Sequence, residues 1–208
     1  MILSRIAFNP LHPATYKLAG DPYGLHIRLC ACAQVSRAQG NILYRWEEGP
    51  VLLVQSDVEL DWNRLDVADR ALNGDPQSKA FDPAFTVGQR LAFRLRCRPT
   101  KKVKVEDGKH SRLRALRTEE ERLEWLSRQG RKAGFLVEWV EVSQEIWHDT
   151  KPVESEEDNH RRRRRVSATR FDGVLVVQDP DRLTEAVRKG IGPQKAYGFG
   201  LLSLAPAK

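Results

Sequence analysis

An α+β chain made of two tandem β-α-β-β-α-β units is what this sequence predicts, on three observations. The same order of strand-like and helix-like patterns occurs twice along 208 residues. An Asp21-Pro22 pair marks a helix start in the first half, and Leu91, Phe93, Leu95 and Cys97 alternate with Ala92, Arg94, Arg96 and Arg98 in the second. Two units of roughly 90 to 110 residues would each bury enough surface to fold.

Taken in order, residues 1–8 read as a strand. Asp21 is a helix N-cap followed by proline at the first helical position, so a helix runs from there to the region of Val35, with Leu25, Leu29 and Cys32 on one stripe. Residues 41–46 and 51–55 flank the turn Glu47-Glu48-Gly49-Pro50 as a hairpin. A short helix over 63–72 and a strand over 79–81 complete the first unit. The alternating strand that opens the second half has one apolar face for the core and one arginine face for something anionic. Thr118 and Glu121 form a capping-box pattern that opens a helix through Leu126, with Gly130 as its stop. Residues 135–142 are strand-like, the segment after Arg165 leads into a strand over 174–177, residues 181–189 are helical, and 197–204 return as a strand. The two units, 1–83 and 88–208, are therefore ferredoxin-like, with the connection near residues 82–87. The same sheet is the scaffold of the RNA-recognition motif, although the aromatic pattern on which such modules stack bases is missing here.

Composition bounds the partners. Thirty-five Lys and Arg against 28 Asp and Glu give a formal charge of +7, which favours an anionic partner, nucleic acid first. A membrane is excluded as the reading because no apolar run approaches the roughly 20 residues that span a bilayer, and MILSRIAFNP has no signal-peptide character. Cys30, Cys32 and Cys97 lie in apolar patterns without metal-ligand spacing, as buried thiols of a reducing cytosol do. A cytoplasmic protein with no metal and no cofactor is the expectation.

The positive charge is concentrated. Between Arg94 and Arg117 there are ten Lys or Arg against two acids, and Lys101, Lys102, Lys104 and Lys109 with Gly108 read as a mobile basic loop. Phosphate contact and a merely solvated loop are both open readings of such a run. Five consecutive arginines, Arg161, Arg162, Arg163, Arg164 and Arg165, follow the acidic residues Glu154, Glu156, Glu157 and Asp158 between two strand patterns. That places them on a hairpin rigid at its base, suited to paired contacts with phosphates at an RNA helix end or loop. A third unusual segment, GIGPQKAYGFGLLSL over 190–204, is no dinucleotide fingerprint, because it follows a helix and precedes a strand. Gly190, Gly192, Gly198 and Gly200 permit positive φ and close approach, and Lys195 supplies one charge for a phosphate. A purely structural turn is the alternative.

The glycine-rich segment resembles the C-terminal signature of CRISPR RNA-processing endoribonucleases. Asp21-Pro22-Tyr23-Gly24-Leu25-His26 is similar to the DPYxxH segment of their CasE branch, found in type I-E systems. Phe81-Asp82-Pro83 leading to Gly88-Gln89-Arg90-Leu91, and the basic Arg98-Pro99-Thr100-Lys101, agree with it too. Ile27, Pro193 and Phe199 depart from the pattern at positions that bear on phosphate contacts. The resemblance implies a metal-independent endoribonuclease that binds the hairpin of CRISPR precursor RNA, cuts at its 3′ base, retains the mature crRNA and joins other Cascade subunits. Tyr23 and His26 would be catalytic; Arg28, the arginines and lysines above and the loop glycines would hold RNA. On a helix Tyr23 and His26 share a face, with Cys30 a turn further on. Attack of a ribose 2′-OH on its phosphate needs a base, an acid and donors for the developing charge. An imidazole with a pKa of about 6.5 can serve as either base or acid, while a phenol at about 10 suits positioning. A non-catalytic RNA-binding subunit and an interaction module for an acidic protein are the competing readings.

Overall fold

The computed structural model describes residues 1–35, 37–65, 67–68, 70–104, 111–152 and 163–207. Two four-stranded antiparallel sheets carry the fold. The first contains β1 (Ile2–Ala7), β2 (Leu43–Glu47), β3 (Val51–Ser56) and β4 (Gln77–Ala80), in the order β2-β3-β1-β4. Helices α1 (Pro13–Ala19), α2 (Pro22–Ala33) and α3 (Arg37–Gly40) fill the β1–β2 crossover. The second sheet contains β5 (Arg90–Cys97), β8 (Phe135–Pro152), β9 (Arg163–Val177) and β10 (Leu202–Pro206), in the order β10-β5-β9-β8. Each order places the first and third strands of a unit side by side, the ferredoxin-like arrangement expected from the sequence. Helices α4 (Glu119–Lys132) and α5 (Pro180–Lys189) cover the second sheet, and the hairpin of β6 (Thr100–Lys104) and β7 (Ser111–Ala115) is inserted after β5.

Each sheet has its own core. Leu25, Leu29 and Cys32 of α2 pack on Ile6, Tyr44, Leu52 and Val54. Leu91, Phe93, Leu95 and Cys97 pack under Trp125 and Leu126 of α4 and Leu183 and Val187 of α5. The helix starts are those that the caps specify. Asp21 accepts from Gly24 N at 3.0 Å, Thr118 and Glu121 close a capping box, and Asp179 accepts from Arg182 N at 3.1 Å.

Several expectations are corrected. The helix expected over 63–72 is a single 3₁₀ turn, Trp62–Arg64. Leu65 leaves helical geometry to enter the core, and Ala71 and Asn73 hydrogen-bond to Asn9 and Ala7, so pairing with the end of β1 overrides local propensity. An extra helix, α1, precedes α2, and α2 ends at Ala33, where Gln34 turns left-handed. Gly130 does not stop α4 but lies inside it, at a point where a Cβ would stand 2.9 Å from the Phe135 ring. The basic loop is a paired hairpin, with Thr100 opposite Ala115 and Lys104 opposite Ser111; Lys109 and Gly108 lie outside the described residues. Tyr197 ends a 3₁₀ turn, and the last strand begins only at Leu202. Among the described residues no helix is long and apolar enough to cross a membrane.

Candidate active site

The junction of the two halves brings the two end motifs together. Tyr23 and His26 lie on one face of α2, their ring centroids 6.5 Å apart. The 3₁₀ turn Lys195–Tyr197 of the glycine-rich loop packs on this face, with the Tyr197 ring 5.9 Å from that of Tyr23. His26 is buried at 5% exposure, and Cys30 Sγ lies 3.6 Å from its Nε2, one turn along the helix. Sequence periodicity places both groups on an open face; the loop covers it, so the imidazole is held within the protein while Tyr23 stays half-buried.

Two buried side chains of β2 tie the junction. Tyr44, 1% exposed, donates from its hydroxyl towards Pro22 O at 2.5 Å and Ala196 O at 3.1 Å. These carbonyls belong to the residues immediately before Tyr23 and Tyr197, so one phenol ties the start of α2 to the 195–197 turn. Burial pushes the Tyr44 hydroxyl well above the usual phenol range, keeping it protonated as a donor. Arg45 reaches the other sheet, donating to Leu201 O at 3.1 Å, Arg94 O at 3.3 Å and Ser203 Oγ at 2.9 Å, and it pairs with Glu47. Gln55 adds a bond to Val187 O at 2.8 Å.

The loop follows from its glycines. All four have positive φ, and Gln194 is left-handed as well. Gly198 shows the constraint most clearly. At φ +78° a side chain would be strained, and its Cβ would meet the Tyr44 ring at 2.9 Å. Ile191 N bonds Gly200 O at 2.9 Å and Gly200 N bonds Arg96 O at 2.8 Å, pinching the loop shut and seating it on β5. Positions 190, 192 and 200 are likewise close to protein atoms. Lys195 is half-buried, and burial, reinforced by nearby Lys189, lowers its pKa from the ordinary lysine value.

The arginine face of β5 meets anions that belong to the protein itself. Arg94 binds Asp172 at 2.5 Å and Glu47 at 3.0 Å. Arg96 binds Glu145 at 2.5 Å and lies 5.5 Å over the Phe199 ring. Arg98 donates to Gln194 Oε1 at 2.9 Å. On the inserted hairpin Lys101, Lys102 and Lys104 are exposed, with Lys101 paired to Glu121 at 2.7 Å. Arg28 lines a different cleft with Lys17 and Asp21, away from the Tyr23–His26 face. Of the arginine run, Arg163, Arg164 and Arg165 fall within β9, where Arg163 pairs with Pro152 and Arg165 with His148. Arg161 and Arg162 lie outside the described residues, as do the acidic residues before them.

Sequence reasoning missed Tyr44, Trp46 and Tyr197. Tyr197 stands inside the glycine-rich segment and was within reach of the motif; Tyr44 and Trp46 read only as ordinary strand residues. With Arg96, Glu145 and Pro22 they line a cleft of about 270 Å³ beside the Tyr23–His26 pair.

The family described as CRISPR associated protein matches residues 1–206. The CRISPR-associated endoribonuclease Cse3 of Thermus thermophilus is 36% identical over 99% of this chain and 100% of its own length. The CRISPR system Cascade subunit CasE of Escherichia coli is 32% identical over 62% of this chain and 65% of its own. A solved structure of Thermus thermophilus Cse3 bound to an RNA representing a pre-cleavage complex superposes with a TM-score of 0.79 at 33% identity, covering 99% of this chain and 98% of that one.

Proposed function

This chain belongs to the CRISPR-associated Cse3/CasE endoribonuclease family, and from that premise we propose that it cuts CRISPR repeat RNA at the junction carrying Tyr23 and His26. The observation that carries this reading is the pairing of those two side chains on one face of α2 under the 195–197 turn. The substrate is the stem-loop of the precursor, cut at the 3′ base of the hairpin. The 2′-oxygen of the nucleotide before the cut bonds to phosphorus as the bond to the 5′-oxygen breaks, giving a 2′,3′-cyclic phosphate and a 5′-OH. The proton of the 2′-OH goes to a base and the leaving oxygen takes one from an acid; His26 serves one of these transfers. Tyr23 positions the reacting phosphate, and Lys195 offsets charge on its non-bridging oxygens. These groups suffice for a reaction without a metal.

Region 1–83 supplies the reacting pair and region 88–208 the grip: the hairpin lysines and the run 161–165. Product retention follows from contacts that lie outside the reacting atoms, and the mature crRNA with its bound protein is then the form that meets other Cascade subunits in the cytoplasm. Repeat RNA incubated with the protein in EDTA tests this. A shorter product ending in a cyclic phosphate is expected; a strict requirement for added Mg²⁺, or a 3′-OH end, would refute it.

A further inference from the structure

The cleft beside the reacting pair has a composition that the chemistry of cleavage does not use. Trp46 and Tyr197 line it with the edge of the almost fully buried Tyr44, and the pair of Arg96 and Glu145 lines it as well. At about 270 Å³ it lies just below the range of pockets for drug-sized ligands, yet admits one planar ring system. Trp46 Nε1–H is shielded from solvent and has no acceptor among the described residues, a donor that the protein itself leaves unanswered. Arg96 is locked between Glu145 and the Phe199 ring, so a guanidinium donor and a carboxylate acceptor are held side by side in fixed orientation. The cleft adjoins the site: Pro22 precedes Tyr23 in the chain, and the Tyr197 ring lies 5.9 Å from that of Tyr23, tilted by 35°.

Aromatic walls with an adjacent donor–acceptor pair are what an unstacked base of single-stranded RNA requires: π-faces to stack on and polar groups for its edge. We propose that this cleft receives one nucleobase flanking the scissile phosphate, turned out of the stem base, and so sets which bond lies against Tyr23 and His26. The inference rests on the cleavage reading above. Stacking draws the neighbouring sugar towards the reacting pair, so loss of the base slows cleavage more than it weakens hairpin binding, whose contacts lie elsewhere.

The test uses the full chain and repeat RNAs carrying an abasic site, or 2-aminopurine, at one or the other nucleotide flanking the cut. At one of the two positions the abasic site should slow single-turnover cleavage about tenfold or more, with hairpin affinity within about twofold. Trp46→Leu should slow cleavage of intact RNA similarly and add little on that abasic RNA, because both changes remove the same contact. Glu145→Gln keeps the shape of the wall but removes its carboxylate, and should alter base preference at that position; unaltered preference would remove Glu145 from base contact. Wild-type rates on both abasic RNAs, or an undiminished Trp46→Leu penalty on them, would overturn the proposal. The 2-aminopurine arm needs binding only. On RNA made uncleavable by a 2′-deoxy substitution, fluorescence at the same position should be quenched by the wild-type protein and not by Trp46→Leu, and equal signals at both positions would overturn the proposal. Absence of cleavage of intact repeat RNA would instead strike the cleavage reading, while the fluorescence still decides the cleft.

Discussion

The junction between the halves and the β6–β7 hairpin are both basic in sequence, and the fold uses the charge in opposite ways. At the junction Arg45, Arg94 and Arg96 are matched by Glu47, Asp172 and Glu145, and Arg45 also binds the backbone of the facing sheet. On the hairpin the lysines are exposed. Charge that has found carboxylates within the chain acts as cement. Charge left on the surface is what an incoming polyanion meets first, and it is the part sensitive to salt. A count of +7 does not separate the two.

The contrast can be broken at either end. Arg45→Met should have the largest effect on the fold, about 3–5 kcal/mol of stability by chemical denaturation, because Glu47 and the facing carbonyls lose a buried cationic partner. A loss below about 1 kcal/mol would show that the junction is held by apolar packing instead. Tyr44→Phe keeps the ring and removes the shared donor. Single-turnover cleavage should fall about tenfold, and stability by about 1–2 kcal/mol, while hairpin affinity is retained. An unchanged rate would mean that α2 and the 195–197 turn hold their places without it. Lys102→Ala with Lys104→Ala should leave stability and the cleavage rate at saturating protein unchanged. It should weaken RNA binding and lower the slope of log affinity against log salt by roughly one to two. An unaltered slope would remove the hairpin from the grip.

The smallest expected effect is acidic. Hydrogen bonds from Lys101 and from the Arg117 and Thr118 backbone hold Glu121 down at about 2. Its support for the start of α4 is therefore complete above the ordinary glutamate pKa of about 4.3 and is lost as pH falls towards 2. Amide exchange in the first turn of α4 should rise over that window in the wild type, and Glu121→Gln should remove the dependence.

Most of the architecture was legible because its signals are local. The proline-led cap at Pro22, the Thr118–Glu121 box and the strict alternation of 91–98 specify elements within a few residues. Local reading failed where a distant partner decided the outcome. Residues 71–73 pair with the end of β1 more than sixty positions earlier; by contrast α1 escapes the sequence reading although its cap is local, because the acceptor for Ala14 N is the His12 ring rather than a Ser or Asp. The same division between local and distant holds at the site. The spacing of Tyr23 and His26 displays their common face on α2; Tyr44 acts through carbonyls 22 and 152 positions away, a relation that no spacing displays. The β5 arginines were read as a surface for something anionic, and the carboxylates that meet them come from β2, β8 and β9.

The central claim is that the chemistry resides at the junction while the grip lies elsewhere. Single-turnover cleavage of repeat RNA by His26→Ala, at saturating protein and with affinity measured in the same buffer, tests it most directly. A rate lower by about 10²–10⁴-fold with affinity within about twofold is predicted. Cleavage at the wild-type rate, or loss of cleavage matched by an equal loss of binding, would contradict it.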